Sequence, residues 1–243
     1  MKRLIFLILL IALSSSLFAQ RPERFRNDFY VGFGGGMHSS MVDFVPQVLQ
    51  NQRLGIHGGV AAKFVSTELT DRGNVLAGII AELNFSQRGW IEDFDYERHP
   101  DFTFNRTLNY IDFPFMTHIN AGRGNVRFIF NAGPQISFLL GDNVSMSSTL
   151  AEYLADNTHI TDRRTLVYRL RYQSSAPLTR IDYGLIGGMG MQIRTAGGHF
   201  DIEGRYYFGL GDIFESRRSR NAFFSRSAHR VIQVRVTYYM RMN

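Results

Sequence analysis

Cysteine is absent from the 243-residue chain. An exported domain without disulfides must draw its stability from another source. Lysine is nearly absent as well, since Lys2 and Lys63 are the only two. The formal net charge of +6 is therefore carried by arginine, whose planar fork suits phosphate and carboxylate. Beyond residue 20 there is no apolar run near the roughly 18 residues that a transmembrane helix needs. The seven histidines show neither HxH nor HExxH spacing, so no metal ligand set is expected, and no cofactor. The glycines of GFGGGM (32–37) lie in no phosphate-loop context. Gly32, Gly34 and Gly36 share one face, where they are expected to leave room for bulky neighbours.

What is present begins with MKRLIFLILLIALSSSLFAQ. Lys2 and Arg3 precede about ten apolar residues, Leu4 to Leu13, and the stretch closes on small residues before Gln20. This is the pattern of a signal peptide over 1–19, too short to anchor in a bilayer. Its removal leaves about 220 residues, which suits one β-rich domain. Residues 20–28 are expected as a short periplasmic segment and 29–243 as the domain itself. Export argues against nucleic acid as the partner of a basic chain and favours phosphorylated lipid headgroups.

The stretch NYIDFPFMTHINAG (109–122) alternates. Ile111, Phe113, Phe115, Thr117 and Ile119 point one way; Tyr110, Asp112, Pro114, Met116 and His118 point the other. Similar period-two segments occur at 29–38, 54–65, 75–88, 125–140, 180–194, 199–212 and 229–241. Each is about 10–15 residues, longer than an average soluble strand and right for a tilted membrane crossing. Connectors after the first, third, fifth and seventh segments are about 15, 18, 39 and 16 residues; those between are short, as in NAGRGN (120–125) and TAGG (195–198). An even strand count with this long–short alternation predicts an all-β, eight-stranded antiparallel up-and-down transmembrane β-barrel with long extracellular loops. The Ile/Phe face then meets lipid, and Asp112 and His118 look into the lumen; a soluble lipocalin-like barrel is the competing reading. Closure pairs every spanning backbone group and supplies stability without disulfides. Pro114 lacks a ladder donor, so a bulge is expected there, with Pro134 a second candidate.

YIDFPFMTHI (110–119), FNAGPQISFLLGD (130–142), DYGLIGGMGMQI (182–193), EGRYYFGLGDIF (203–214) and GIIAELNFSQRGW (78–90) resemble the PorT-like, porin-family outer-membrane β-barrels of Bacteroidota. The likeness covers most of the chain after the leader, in the expected order. It implies an eight-stranded barrel in the outer membrane but no single activity; the name-giving protein of the family assists secretion. Asn243 departs from the terminal aromatic common in such barrels, with Tyr238 and Tyr239 just inside it.

An eight-stranded interior is filled by side chains. Lumen-facing Glu82, Asp112, Asp182, Asp201 and Glu203 are expected to pair with Lys63, Arg127, Arg180, Arg205 and Arg235, since buried charges need partners. The expected role is structural or interaction-based at the cell surface, with assistance to secretion as one form of it. The alternatives are a small-solute channel and a lipid-modifying enzyme. His38 with Ser39 or Ser40, and His229 opposite, are the candidates for the latter, but no orienting acid is visible and no catalysis is expected. In ESRRSRNAFFSRSAHR (215–230), Arg217, Arg218, Arg220 and Arg226 surround Phe223 and Phe224. They are candidate contacts to lipopolysaccharide phosphates, against the plainer reading of a solvated loop. The loop 141–179 contains MSSTLAEYLADN (146–157), a short helix with Leu150, Tyr153 and Leu154 on one side. Loops 141–179 and 213–228 are the expected sites of a protein partner, and outer-membrane lipid is the expected surrounding.

Overall fold

The computed structural model describes residues 25–68, 75–95, 97, 100–156, 164–214 and 223–242. The leader expected over 1–19 lies outside them. The period-two pattern becomes nine antiparallel strands: β1 (Phe25–Val45), β2 (Gln50–Asn51), β3 (Arg53–Glu68), β4 (Val75–Glu92), β5 (Phe104–Ala121), β6 (Val126–Met146), β7 (Ile181–Thr195), β8 (Gly198–Gly209) and β9 (Arg226–Arg241). Among the described residues two helices, α1 (Ser148–Ala155) and α2 (Arg164–Ser175), lie between β6 and β7. β2 is a two-residue extension against Glu92 and Ile91 of β4. The eight long strands pair in sequence, and β1 pairs β9 from Tyr30↔Arg241 to Val45↔Arg226, which closes the ring. No sheet edge is left along the spanning part, as a backbone surrounded by lipid requires.

Outward side chains form an apolar belt: Phe29–Met37 in β1, Leu54–Phe64 in β3, Ala77–Phe85 in β4, Ile111–Ile119 in β5, Val126–Leu140 in β6, Ile181–Ile193 in β7, Phe200–Phe208 in β8 and Ile232–Met240 in β9. These stretches are about 9–15 residues long, enough for a tilted crossing. Phe113 and Phe115 of β5 are 45% and 52% exposed, whereas Asp112 and Met116 beside them are 4% and 0% exposed. The apolar side of that strand therefore faces out and its polar side faces the lumen.

Above the belt the polarity inverts without a change of strand. Phe104, Leu108 and Tyr110 point inward and are buried, while Asn105, Thr107 and Asn109 point outward. With Val42 and Phe44 of β1, Val48 of the segment that follows it, and Trp90 of β4, they form a core closed by Leu150 of α1, Leu170 of α2, and Ile213, Phe214 and Phe224. Each large apolar side chain buried this way contributes about 1.5–3 kcal/mol. The same strands thus carry a membrane pattern below and a water-soluble pattern above.

Several expectations are corrected. The first outer loop is mostly strand: β1 runs to Val45 and β2 begins at Gln50, because Val42 and Phe44 have the outer core to fill. β1 also starts at Phe25, within the expected periplasmic segment 20–28, since Phe25–Asn27 pair with Ser66–Glu68. The bulge lies at Asn109/Tyr110, not at Pro114 or Pro134. Pro114 leaves a gap against Glu82 and Leu83, where β4 and β5 resume pairing in the same register. A proline removes a donor but adds no residue, so the ladder breaks without shifting.

The belt makes a direct prediction. Phe115→Arg places a guanidinium among lipid tails and should cost about 2–4 kcal/mol. Asn143→Arg, outward but above the belt, should stay within about 0.5 kcal/mol. Urea unfolding of the protein from phospholipid vesicles measures both.

Candidate functional site

The lumen is built by strand parity, which sends every second residue inward. Three charge clusters fill it from the periplasmic end upward. In the first, Lys63 Nζ of β3 donates to Asp201 Oδ2 of β8 at 2.5 Å and lies 2.9 Å from His199 Nε2. The same ammonium sits 3.8 Å from the Tyr239 ring centroid. Room for that ring comes from Gly32, where a Cβ would lie 2.6 Å from Tyr239 Cδ1.

In the second, Arg205 of β8 reaches across the barrel to Glu82 of β4 with a two-pronged contact, Nη1 to Oε2 at 2.9 Å and Nη2 to Oε1 at 2.8 Å. Its Nε donates to Glu203 at 2.8 Å. Asn84 donates to Glu82 at 2.8 Å, and Arg235 approaches Glu82 at 3.9 Å while donating to Thr237 Oγ1 at 2.9 Å. In the third, Arg88 of β4 bridges Asp112 of β5 at 2.5 Å and Asp182 of β7 at 3.3 Å. Tyr207 donates to Asp182 at 2.9 Å and Ser86 to Asp112 at 2.7 Å. The Tyr207 and Tyr110 rings flank the Arg88 guanidinium at 4.7 and 5.1 Å. All these charged side chains are buried, and each is held by a partner on another strand or two residues along its own.

Of the residues expected in the lumen, the structure brings together Lys63, Glu82, Asp112, Asp182, Asp201, Glu203, Arg205 and Arg235. It does not bring Arg127 or Arg180 to them. Arg180 precedes β7, is exposed, and lines an outer cavity with Asp142 and Leu178. Arg127 sits one residue inside β6, at the periplasmic rim opposite Gln192. Arg88 was not among the expected members, although its even spacing with Glu82, Asn84 and Ser86 marks it as inward.

The outer mouth is closed by the apolar core, which the sequence reading did not foresee. Arg106 pairs with Asp142 at 2.6 Å, donates to the Gln173 carbonyl of α2, and lies over the rings of Trp90 and Phe214. Glu92, beyond the belt in β4, accepts from Arg169 of α2 at 3.1 Å. Arg171 donates to the Leu154 carbonyl of α1 at 3.0 Å. These contacts fasten both helices over the barrel.

The nucleophile candidates do not meet. His38 Nε2 donates to the Gln87 carbonyl at 2.6 Å. Ser40 Oγ lies 2.9 Å from the Gly89 carbonyl and accepts from the Gly89 amide at 3.1 Å. Ser39 faces outward and donates to Gln52 at 2.7 Å, and His229 Nε2 lies 3.3 Å from the Tyr110 hydroxyl. Arg226 pairs with Asp43 at 3.3 Å; Arg217, Arg218 and Arg220 lie outside the described residues.

A family model for the outer membrane protein beta-barrel domain matches residues 18–215. No curated protein sequence matches the chain. Among solved structures, Ail of Yersinia pestis, crystallised with the heparin analogue sucrose octasulfate, is similar at 12% identity and a TM-score of 0.38, over 88% of this chain and 99% of that one. OprG of Pseudomonas aeruginosa is similar at 8% identity and a TM-score of 0.43, over 88% and 96%. Neisserial surface protein A is similar at 10% identity and a TM-score of 0.39, over 86% and 96%.

Two outcomes test this description. Arg205→Ala strands Glu82 and Glu203 in the lumen and should destabilise the barrel by about 3–5 kcal/mol, read as a lower urea midpoint. The second concerns Glu92. Its burial beneath α2 pushes the carboxyl from 4.5 up to about 7 in spite of Arg169. The closed cap therefore holds the proton more tightly than the opened one, so closure is favoured below pH 4.5 and weakens as pH rises through about 7. Acrylamide quenching of Trp90, the single tryptophan, should increase between pH 5 and pH 8 and become flat in Glu92→Gln.

Proposed function

Given that the chain belongs to the outer membrane protein beta-barrel domain family, we propose that it is a surface-interaction barrel of the outer membrane and not a pore or a lipid-modifying enzyme. One observation carries the reading: Trp90, Phe104, Leu170, Phe214 and Phe224 form a buried apolar layer across the outer mouth, directly above a lumen filled by ion pairs. A solute would have to displace both. The helical cap over this layer is a ready platform for a partner, which supports loops 141–179 and 213–228 as the binding region. Arg217, Arg218, Arg220 and Arg226 remain candidates for lipopolysaccharide phosphates, because arginine binds phosphate through two parallel hydrogen bonds. The resemblance of the sequence segments to PorT-like barrels makes assistance to secretion the form of interaction we favour. Export through a leader cleaved after Ala19 belongs to the same reading.

Planar-bilayer recording provides the test. The full barrel should give no stable conductance steps, whereas a variant lacking residues 148–175 should give brief, irregular ones at most, since the ion pairs below remain. Stable unitary steps from the intact protein would reject the sealed lumen and favour the channel.

A further inference from the structure

Almost every inward-facing cation of the barrel has a carboxylate. Lys63 has Asp201, Arg88 has Asp112 and Asp182, Arg205 has Glu82 and Glu203, and Arg235 has Glu82. At the periplasmic mouth Arg241 has Asp28 at 2.5 Å. At the same mouth Arg127, half-buried, and Arg194, exposed, have no ion pair to a carboxylate among the described residues.

Both belong to the inward-facing sets of their strands. Arg127 continues the series of Ile129, Asn131 and Gln135, and Arg194 continues that of Asp182 and Gln192. Arg127 is paired with Gln192, so Arg194 is its diagonal neighbour on the same face. Two like charges at diagonal positions of one face should repel. Gly122, at φ +135° in the turn to β6, lies beside the Arg127 stem: a Cβ there would lie 3.4 Å from Arg127 Cα and 3.7 Å from its Cγ. The Nε and Nη1 atoms of Arg127 are shielded from solvent and have no acceptor among the described residues. A shielded guanidinium edge without an acceptor is costly, and the unused geometry is the fork that binds oxyanions in pairs of hydrogen bonds.

We propose that Arg127 and Arg194 form an oxyanion site at the periplasmic mouth, which takes a carboxylate or phosphate presented from the periplasm. The apolar cap and the ion-paired lumen block the approach from outside. Strand parity places both residues on the lumen side of the wall, away from lipid, which favours a soluble or polymer-borne anion over a headgroup. The bound oxyanion would relieve the repulsion and satisfy the Arg127 edge together.

The test uses the purified full barrel in neutral maltoside micelles, because phosphocholine detergents carry a competing phosphate. Backbone amide spectra are followed during titration with inorganic phosphate and with triglutamate. Saturable shifts at Gly122, Arg127 and Arg194 are expected from both. Arg127→Gln and Arg194→Gln should each weaken binding by about tenfold, Arg127→Lys should fall between, and the double variant should abolish it. Arg241→Gln, at the same mouth but paired with Asp28, should bind like the wild type. Heat-modifiable migration on a gel reports folding, and Arg127→Gln should retain it, because no protein partner is lost.

Nanodiscs separate the sources. Equal spectra in phosphatidylglycerol and phosphatidylcholine discs support an anion from the periplasm. Shifts at these residues confined to phosphatidylglycerol discs, with none from phosphate or triglutamate, would overturn that source. Shifts that fail to saturate, or persist in the double variant, would overturn the site itself.

Discussion

A charge pointing into an eight-stranded barrel has no bulk water to fall back on, because the interior is only wide enough for side chains. Every inward ionic group must therefore be neutralised by a neighbour a few ångströms away, or carry a large desolvation penalty. The rest of the barrel follows from this. Arg205 has to span from β8 to Glu82 on β4, and Gly188 of β7 leaves room for its stem, since a Cβ there would lie 2.6 Å from Arg205 Cγ. Lys63 lies against Tyr239, which requires a glycine at position 32 to admit the ring. Arg88 ties β4 to β5 and β7 in one contact set. The polar filling cross-braces the wall from within, a task that disulfides perform in many exported domains of this size.

Strand parity made much of this legible. The alternation over 109–122 separates Phe113 and Phe115 from Asp112 and His118, and the same rule sorts the faces of the other long segments. Parity tells which side of the wall a residue occupies but not how high it stands. Height depends on strand stagger, which no local pattern encodes. Asp182 and Arg180 share a parity, yet Asp182 reaches Arg88 and Arg180 stands outside at the rim. Arg127 likewise has the right side and the wrong level. Arg88 could have been found from the spacing of Glu82, Asn84 and Ser86.

The outer core was hidden for a different reason. Above the belt, water replaces lipid outside and apolar side chains replace charges inside, so the meaning of the alternation reverses within a single strand. In β5 the change falls between Tyr110 and Ile111, where apolar residues occur on both faces in succession. A reading that follows one polarity ends the strand there and assigns the remainder to loops. The two helices follow the same logic. Leu150 and Leu170 give each an apolar side, but the surface that this side covers is assembled from β1, β4, β5 and the segment after β8. A contact set so distant in sequence has no local signature.

The two ends of the barrel are consequently unlike. The outer end is closed by an apolar layer, formed where the surrounding strands have left the lipid; below that level most apolar side chains are turned outward, and the few turned inward, Ile80, Met116, Ile186 and Val231, pack with Tyr207 inside the lumen. Among the described residues the inner end has no matching layer: Arg127, Arg194 and Arg241 continue the charge pattern there. A rigid cap braced by Arg106 and Arg171 suits a surface that holds a fixed shape against a partner, and the ion-paired lumen keeps that cap from sinking. The inner mouth stays polar and within reach of solutes. It is there that incomplete pairing can persist, because water and dissolved ions limit the penalty that the same arginines would carry one layer deeper.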